Sequence, residues 1–321
     1  MADLVSIGIL GTGRAVPERI VTNADFPESL GTSDAWIRPR TGILERRYVS
    51  ARESTTTLAL SAARSALEDA GVQANELELI ICATVTPERM TPSTACLLQA
   101  ELRARSVPCF DLTAACSGFI YALGTAVPML QVRGGGKALI VGAETLSRTV
   151  DHADRSTCVL FGDGAGAVVL GPTDGNRGLF SVNLFSDGSR GALIEVPSLW
   201  TLDPTLTALR MHGREVYKFA VTKLTELIRT AQTECERVGR DLSLIVPHQV
   251  NVRILDAARE ELNLPADHFF INLDRYGNTS AASVPMALDE ARRGGRAHAG
   301  DTVLLAAFGG GLTWAWALVT L

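Results

Sequence analysis

The sequence predicts an α/β protein made of two copies of one strand–helix unit. Three observations carry this. The apolar runs SLIVP, LIICA, ALIVG and AVVLG are continuous rather than alternating, as strands are when helices cover both faces of their sheet. The same order of elements occurs twice. Aligning Ile80 with Leu244, Cys116 with Asn278 and Leu139 with Leu304 gives offsets of 164, 162 and 165 residues, and a nearly constant spacing marks a duplication. Finally, 321 residues, 46% of them hydrophobic, supply apolar surface for two such units.

The elements follow in order. VSIGILGTGRAVP reads as a strand entering a glycine-rich turn. Gly11 and Gly13 suggest a dinucleotide loop, but Pro17 comes before any helix, so a bend is expected instead. In ESTTTLALSAARSALEDAGV (53–72), apolar residues recur every three or four positions, Ser or Thr can cap, and Gly71 can close the helix. ELELIICAT (76–84) reads as a strand. PCFDLTAACSGFIYAL (108–123) reads as strand, short polar turn and helix, and KALIVGAETLS (137–147) as a strand. The order returns with REVYKFAVTKLTELIRTAQTECERVG (214–239), DLSLIVPHQ (241–249), FFINLDRYGNTSAASVPMAL (269–288) and DTVLLAAFGGG (301–311). Residues 172–212 break the pattern and read as a connecting or cap region between an N-terminal half, 1–171, and a C-terminal half, 213–321. The helix layers of the two halves are expected to meet in the middle. FGDGAGAVVLG reads as a turn feeding a buried strand, its glycines allowing tight backbone approach.

Composition narrows the function. The net charge is -5 and no basic stripe is present, which argues against nucleic acid as a partner. The 6 cysteines show no C-x-x-C spacing and the 5 histidines are scattered. They read as thiols in a reducing compartment, with no disulfide framework and no metal set. The opening MADLVSIGILGTG has no basic region ahead of an apolar stretch and does not read as a signal peptide. The chain reads as free of any uncharged run of 18 apolar residues, so no membrane span is expected.

Chemistry points to Cys116. It falls where a strand turns into a helix, and backbone N–H groups with the helix dipole favour a thiolate there. Ala114, Ala115, Ser117 and Gly118 leave room for a substrate. His248 ends the strand in IVPHQVN, near the sheet edge where sites of this architecture lie. Asn278, in YGNTSAA, is placed opposite Cys116 by the repeat. Each residue alone has an ordinary reading as a buried thiol, a loop histidine or a turn asparagine. Together they form a nucleophile with two neutral polar partners.

Several long motifs then occur in one order: TNADFPESLGTSDAWIRPRTGILERR, DLTAACSGFIYAL, DRSTCVLFGDGAGAVVL, VPHQVNVRI, DRYGNTSAASVPMALDEA and AFGGGLTW. On these, over essentially its whole length, the chain resembles the β-ketoacyl-[acyl-carrier-protein] synthase III family, the initiating condensing enzymes of type II fatty acid synthesis. The resemblance implies a thiolase-like fold, layered α-β-α-β-α, and a cytoplasmic acyltransferase. The reaction it implies joins an acyl-CoA primer to malonyl-[acyl-carrier-protein] with loss of CO2, through an acyl-cysteine, releasing CoA and 3-oxoacyl-[acyl-carrier-protein]. CoA is then substrate and product rather than a resident cofactor. The implied partners are an acyl carrier protein and a second copy of the chain.

Residue by residue, the resemblance implies that Cys116 takes the primer acyl group. His248 and Asn278 would serve decarboxylation and condensation. The N–H groups of Cys116 and Gly310 would form an oxyanion hole. Trp36 and Arg155 would sandwich the CoA adenine, and Arg40 and Asn251 would line the CoA and pantetheine path. Phe161 and Phe308 would stand near the thiol, and Lys218, Arg253 and Arg259 would meet the carrier protein. Elongating synthases are similar but use Cys-His-His, and thiolases use a second cysteine in the C-terminal half, where this chain has none after Cys235. A starter condensing enzyme or acyltransferase of a polyketide or other secondary pathway is the second reading.

Two positions depart from the family pattern. Thr91 stands where short-chain members carry a bulky aromatic reaching into the partner's acyl pocket. The expectation is a pocket for longer or branched primers, unless Met90 fills the space. Glu260 and Glu261 stand where a lysine pair is commoner, which weakens attraction for an acidic carrier protein unless Arg259 compensates.

Overall fold

The computed structural model describes residues 5–198 and 200–321; residues 1–4 of the opening segment lie outside the described residues. The first half runs through β1 (Ile7–Ala15), β2 (Ile20–Thr22), α1 (Asp34–Thr41), β3 (Glu45–Arg47), α2 (Thr55–Ala70), β4 (Leu77–Ala83), α3 (Thr94–Leu102), β5 (Cys109–Leu112), α4 (Gly118–Val132), β6 (Lys137–Thr145) and β7 (Asp163–Pro172). The second runs through β8 (Gly178–Ser186), β9 (Ile194–Glu195), β10 (Arg210–Met211), α5 (Gly213–Arg237), β11 (Leu242–Pro247), α6 (Val252–Glu261), α7 (Leu273–Tyr276), α8 (Ser283–Arg293), β12 (Thr302–Gly309) and β13 (Thr313–Thr320).

The two large sheets are copies of each other. One has the order β1-β7-β6-β4-β5 and the other β8-β13-β12-β11. In both, the first two pairings are antiparallel and the third is parallel. The fifth strand of the second sheet survives as one parallel bridge between Ile245 and Phe269. Helices α4 and α8 lie between the sheets, in one cluster with Ile81, Ile140, Val246 and Leu305. Helices α2 and α3 cover the outer face of the first sheet through Ala62, Ala66 and Leu98. Helices α5 and α6 cover the second through Leu224, Ile228 and Leu255. The result is the five-layer α-β-α-β-α arrangement.

The register sharpens the duplication. Ile80 pairs with Leu139, and Ile245 with Leu304. Ile80, Leu139, Ile245 and Leu304 all face the outer helices, whereas Leu244 faces the central layer. The counterpart of Ile80 is therefore Ile245, not Leu244. A one-residue shift reverses every side chain in a strand, and an unbroken apolar run carries no alternation to reveal it. Two non-glycine residues with positive φ, Ala115 at 45° and Ser280 at 49°, open the turns before α4 and α8. They match at the same spacing of 165 as the strands. The counterpart of Cys116 is thus Ala281, and Asn278 corresponds to Thr113.

Three other expectations change. The segment with Gly11 and Gly13 is not a terminating bend: β1 continues through both, with a register shift between Ile9 and Gly11. A Cβ on Gly11 would lie 2.4 Å from the Ala70 nitrogen, and one on Gly13 2.4 Å from the Ala62 carbonyl oxygen; the glycines let α2 lie directly on the strand. The region 172–212 is not all connection, because it contains β8, the edge strand of the second sheet. Its later part pairs β9 with β10 beside the site. Residues Ala115–Val132 form an uncharged helical stretch long enough to cross a membrane by length and composition, contrary to the sequence reading. Half of it is buried within the protein, with Phe119, Ile120 and Leu123 fully enclosed between the sheets.

Helix ends follow their sequence signals. Ser54 Oγ accepts the Thr57 N–H at 3.2 Å, and Gly71 closes α2 in the left-handed region. In α5, Val216, Phe219, Ala220, Leu224, Leu227, Ile228, Ala231 and Cys235 form the buried stripe.

Candidate active site

Cys116, His248 and Asn278 come from three separate segments and line one cavity of about 540 Å³. Cys116 sits in the turn before α4, at the inner ends of β5 and β12. His248 follows β11, its backbone N–H bonded to the Ala306 carbonyl at 2.7 Å. Asn278 precedes α8 and is sewn to the residues before β7. Its N–H donates to the Leu160 carbonyl at 2.8 Å, and its own carbonyl accepts the Gly162 N–H at 3.0 Å. The Phe161–Asn278 bridge fixes the asparagine.

The polar ends are oriented by local bonds. Asn278 Oδ1 accepts the Ser280 N–H at 2.9 Å. This leaves Nδ2, a donor, for the cavity. His248 Nδ1 lies 2.6 Å from Ser283 Oγ, so Nε2 is the ring nitrogen left for a ligand. The His248 ring meets Phe308 edge-on, with centroids 5.7 Å apart. Burial pushes the pKa of His248 down to about 3, so the imidazole is neutral at physiological pH.

Burial also pushes the Cys116 thiol up to about 12; contact with Ser280 pulls it down and Glu144 adds to the rise. Desolvation thus outweighs the helix-start effect expected from the sequence. Glu144 is itself buried and raised to about 7 by desolvation, against hydrogen bonds from Thr86, Val85, Ser280 and Thr84. Thr86 Oγ1 donates to it at 2.6 Å.

The glycines of AFGGG shape the floor. A Cβ on Gly309 would lie 2.8 Å from both Cβ and N of Cys116, and 3.1 Å from its Sγ. On Gly310 the nearest atom would be Ala115 Cβ at 3.4 Å. Among the described residues, no turn or loop hydrogen bond engages the N–H of Cys116 or of Gly310. Phe161 and Phe308 both line the cavity. Its apolar wall comes from Val85, Leu146, Ile194, Val196, Leu209 and Met211.

The remaining expected residues lie outside this cavity. Trp36 carries the Arg40 guanidinium 4.8 Å from its ring centroid and that of Arg155 at 5.0 Å. Arg155 also donates to the Gly31 carbonyl at 2.5 Å. Asn251 caps α6, its Oδ1 accepting the Arg253 N–H at 2.9 Å, and its Nδ2 donates to the Arg40 carbonyl at 3.0 Å. Thr91 is exposed, while its neighbour Met90 is the one that lines the cavity. Lys218 stands in an open cleft with Arg190 and Lys223. Arg253 lies on the neighbouring helix, 6.0 Å from the Tyr217 ring. Arg259 is engaged by Asp256 at 3.6 Å and Glu260 at 3.8 Å, and Glu261 by Arg229 at 3.1 Å. The basic group expected to offset the two glutamates is therefore balanced locally.

Sequence reasoning missed Ser280, Ser283 and Glu144. The first two lie inside the quoted motif, and their spacing from Asn278 would signal a role only once a helix start is placed at Ser283. Asp163 accepts Ser147 N–H and Val49 N–H, each at 2.8 Å. It ties loops together away from the thiol.

The cavity can host a thiol nucleophile, an oxyanion between two N–H groups and a second oxyanion facing two neutral donors. Family comparisons converge on the same description. Residues 110–188 match the model for 3-oxoacyl-[acyl-carrier-protein (ACP)] synthase III, and 235–321 match that for its C-terminal part. A relative from Caldanaerobacter subterraneus subsp. tengcongensis, named β-ketoacyl-[acyl-carrier-protein] synthase III, is 44% identical over 99% of each chain. The crystal structure of 3-oxoacyl-[acyl-carrier-protein] synthase III from Aquifex aeolicus has a TM-score of 0.91 at 44% identity, covering 98% of this chain and 100% of that one. The priming β-ketosynthase from the R1128 polyketide pathway has a TM-score of 0.91 at 35% identity, covering 100% and 98%.

Proposed function

The chain belongs to the 3-oxoacyl-[acyl-carrier-protein] synthase III family, and from that premise we propose how its residues carry the family's reaction. The protein is an acyltransferase that condenses an acyl-CoA primer with malonyl-[acyl-carrier-protein], with loss of CO2, to initiate fatty acid synthesis. The observation that carries the assignment of residues is the meeting of Cys116, His248 and Asn278 in one cavity.

In the first half-reaction, Cys116 Sγ attacks the primer thioester. The N–H groups of Cys116 and Gly310 receive the developing oxyanion. The tetrahedral adduct expels the CoA thiolate, which takes up the proton given up by Cys116, and the acyl-cysteine remains. Malonyl-[acyl-carrier-protein] then enters. Breaking its carboxylate bond releases CO2 and places the electron pair on an enolate, whose oxygen receives hydrogen bonds from His248 and Asn278. Neutral donors suit this step, because a carboxylate there would repel the enolate. The enolate carbon attacks the acyl-cysteine carbonyl, Cys116 leaves as thiolate and takes a proton from solvent to restore the resting thiol, and 3-oxoacyl-[acyl-carrier-protein] departs. The order is ping-pong.

The CoA adenine fits beside Trp36 once Arg155 swings off the ring face it now covers at 5.0 Å. Asn251 helps by holding the end of α1, and thus Arg40, against α6. An acidic carrier protein is drawn to Lys218, which shares its cleft with Arg190 and Lys223, and to Arg253 on the neighbouring helix. The protein acts as a homodimer, and β5, one of the two edge strands of the first sheet, offers an edge for pairing with the second copy. The apolar wall, with Met90 at its rim and Thr91 outside it, favours primers longer or more branched than acetyl.

The similarity to a polyketide priming synthase supports the second reading, a starter enzyme of another pathway with the same chemistry. Steady-state assays with malonyl-[acyl-carrier-protein] and acyl-CoA primers from acetyl to twelve carbons test the assignment. A kcat/KM maximum above acetyl is expected. A sharp preference for acetyl would remove the pocket argument, and no 3-oxoacyl product from any primer would remove the functional reading.

A further inference from the structure

Ser283 is the first residue of α8 and is buried with His248. Its Oγ lies 2.6 Å from His248 Nδ1. Among the described residues this is the only side-chain bond recorded for the Ser283 hydroxyl. A serine within a helix commonly turns its hydroxyl back onto the carbonyl four residues earlier. Here the hydroxyl makes no bond to that carbonyl, of Thr279, which accepts the Ala282 N–H at 3.0 Å.

The bond can carry its proton in two ways. If Ser283 donates, Nδ1 accepts and the single imidazole proton sits on Nε2. If Nδ1 donates, the Ser283 hydroxyl proton is buried without an acceptor, which folded proteins avoid. The second arrangement also turns the Nε2 lone pair toward the enolate. Hydrogen-bond satisfaction therefore selects the first.

The duplication gives an independent view. Ser283 stands 165 residues after Gly118, at the matching start of the central helix. A Cβ on Gly118 would meet Ala83 Cβ at 3.1 Å. In the first half this position is pared to glycine directly after the nucleophile's turn. In the second it carries a hydroxyl aimed at the histidine.

We propose that Ser283 is a positioning residue that holds the His248 proton on Nε2, so that the imidazole faces the cavity as a hydrogen-bond donor. The consequence rests on the condensing function given above, but the proton's location does not. Nitrogen-15 spectra of the ring-labelled full-length protein, with the His248 signals assigned through His248→Gln, report the tautomer directly. Nε2–H is expected in the wild type, with loss of that fixed tautomer in Ser283→Ala. In parallel, the ratio of malonyl-[acyl-carrier-protein] decarboxylation to Cys116 acylation should fall about 10- to 100-fold in Ser283→Ala. Ser283→Thr, which keeps the hydroxyl, should recover most of it. A wild-type proton on Nδ1, or equal losses in both half-reactions, would overturn the proposal. An enzyme with the Nε2–H tautomer that never acylates would instead count against the functional reading alone.

Discussion

At Cys116 the environment that admits a thioester also disfavours the free thiolate. Burial lifts the thiol to about 12, and buried His248, held near 3, supplies no stored positive charge to counter it. The resting pair is therefore a neutral thiol beside a neutral imidazole, and the charge develops only as substrate arrives. The sign of the pH dependence follows: a raised thiol pKa keeps the thiolate fraction low at pH 7 and increases it about tenfold per pH unit. Alkylation of Cys116 by iodoacetamide, followed by peptide mass mapping, should climb steadily from pH 6 to 10. A plateau below pH 9 would show that the thiolate is stabilised in the free protein. Asn278 and His248 were legible as residue types in the sequence. Their orienting partners were not, because Ser280 and Ser283 gain meaning only when the turn before α8 is built.

Between elements, the close contact is that of β12 with the nucleophile turn. Gly309 ends the strand where a methyl group would overlap Cys116 Cβ and N at 2.8 Å. Gly309→Ala should cost about 1–3 kcal/mol of stability through overpacking. It should also slow acyl transfer about 100-fold, by displacing the thiol from the oxyanion donors. Gly310→Ala, with its nearest neighbour at 3.4 Å, should be milder on both measures. Urea unfolding and single-turnover acylation check the pair, and equal effects would contradict this geometry. The helices of the repeat were readable from the 3.6-residue spacing of their apolar stripes. Strand register was not, which is why Ile80 was matched to Leu244 rather than Ile245. The asparagine was displaced for another reason. Ala115 lies six positions after Cys109, but Ser280 lies eleven after Phe269, and the additional chain includes α7. The turn itself stays at the common spacing of 165, so Asn278 falls three residues before Ala281, the counterpart of Cys116.

At the scale of the whole molecule, two copies of one sheet-and-helix unit press their α4 and α8 layers together, and the cavity forms where the ends of both halves meet. The first half supplies Cys116 and the second supplies His248 and Asn278, so on the proposed mechanism neither copy completes the reaction alone. The five layers were legible because continuous apolar strands require helices on both faces. The edge role of β8 was hidden because GLFSVNLFS is half-exposed and carries no continuous apolar run. The central claim is that Cys116 carries the acyl group between the two half-reactions. Intact-mass measurement on the full chain, first with an acyl-CoA and then with malonyl-[acyl-carrier-protein], tests it most directly. The account predicts one acyl adduct on Cys116, absent in Cys116→Ala, which is discharged as 3-oxoacyl-[acyl-carrier-protein] appears. Product formation by Cys116→Ala, or an adduct that malonyl-[acyl-carrier-protein] fails to discharge, would contradict it.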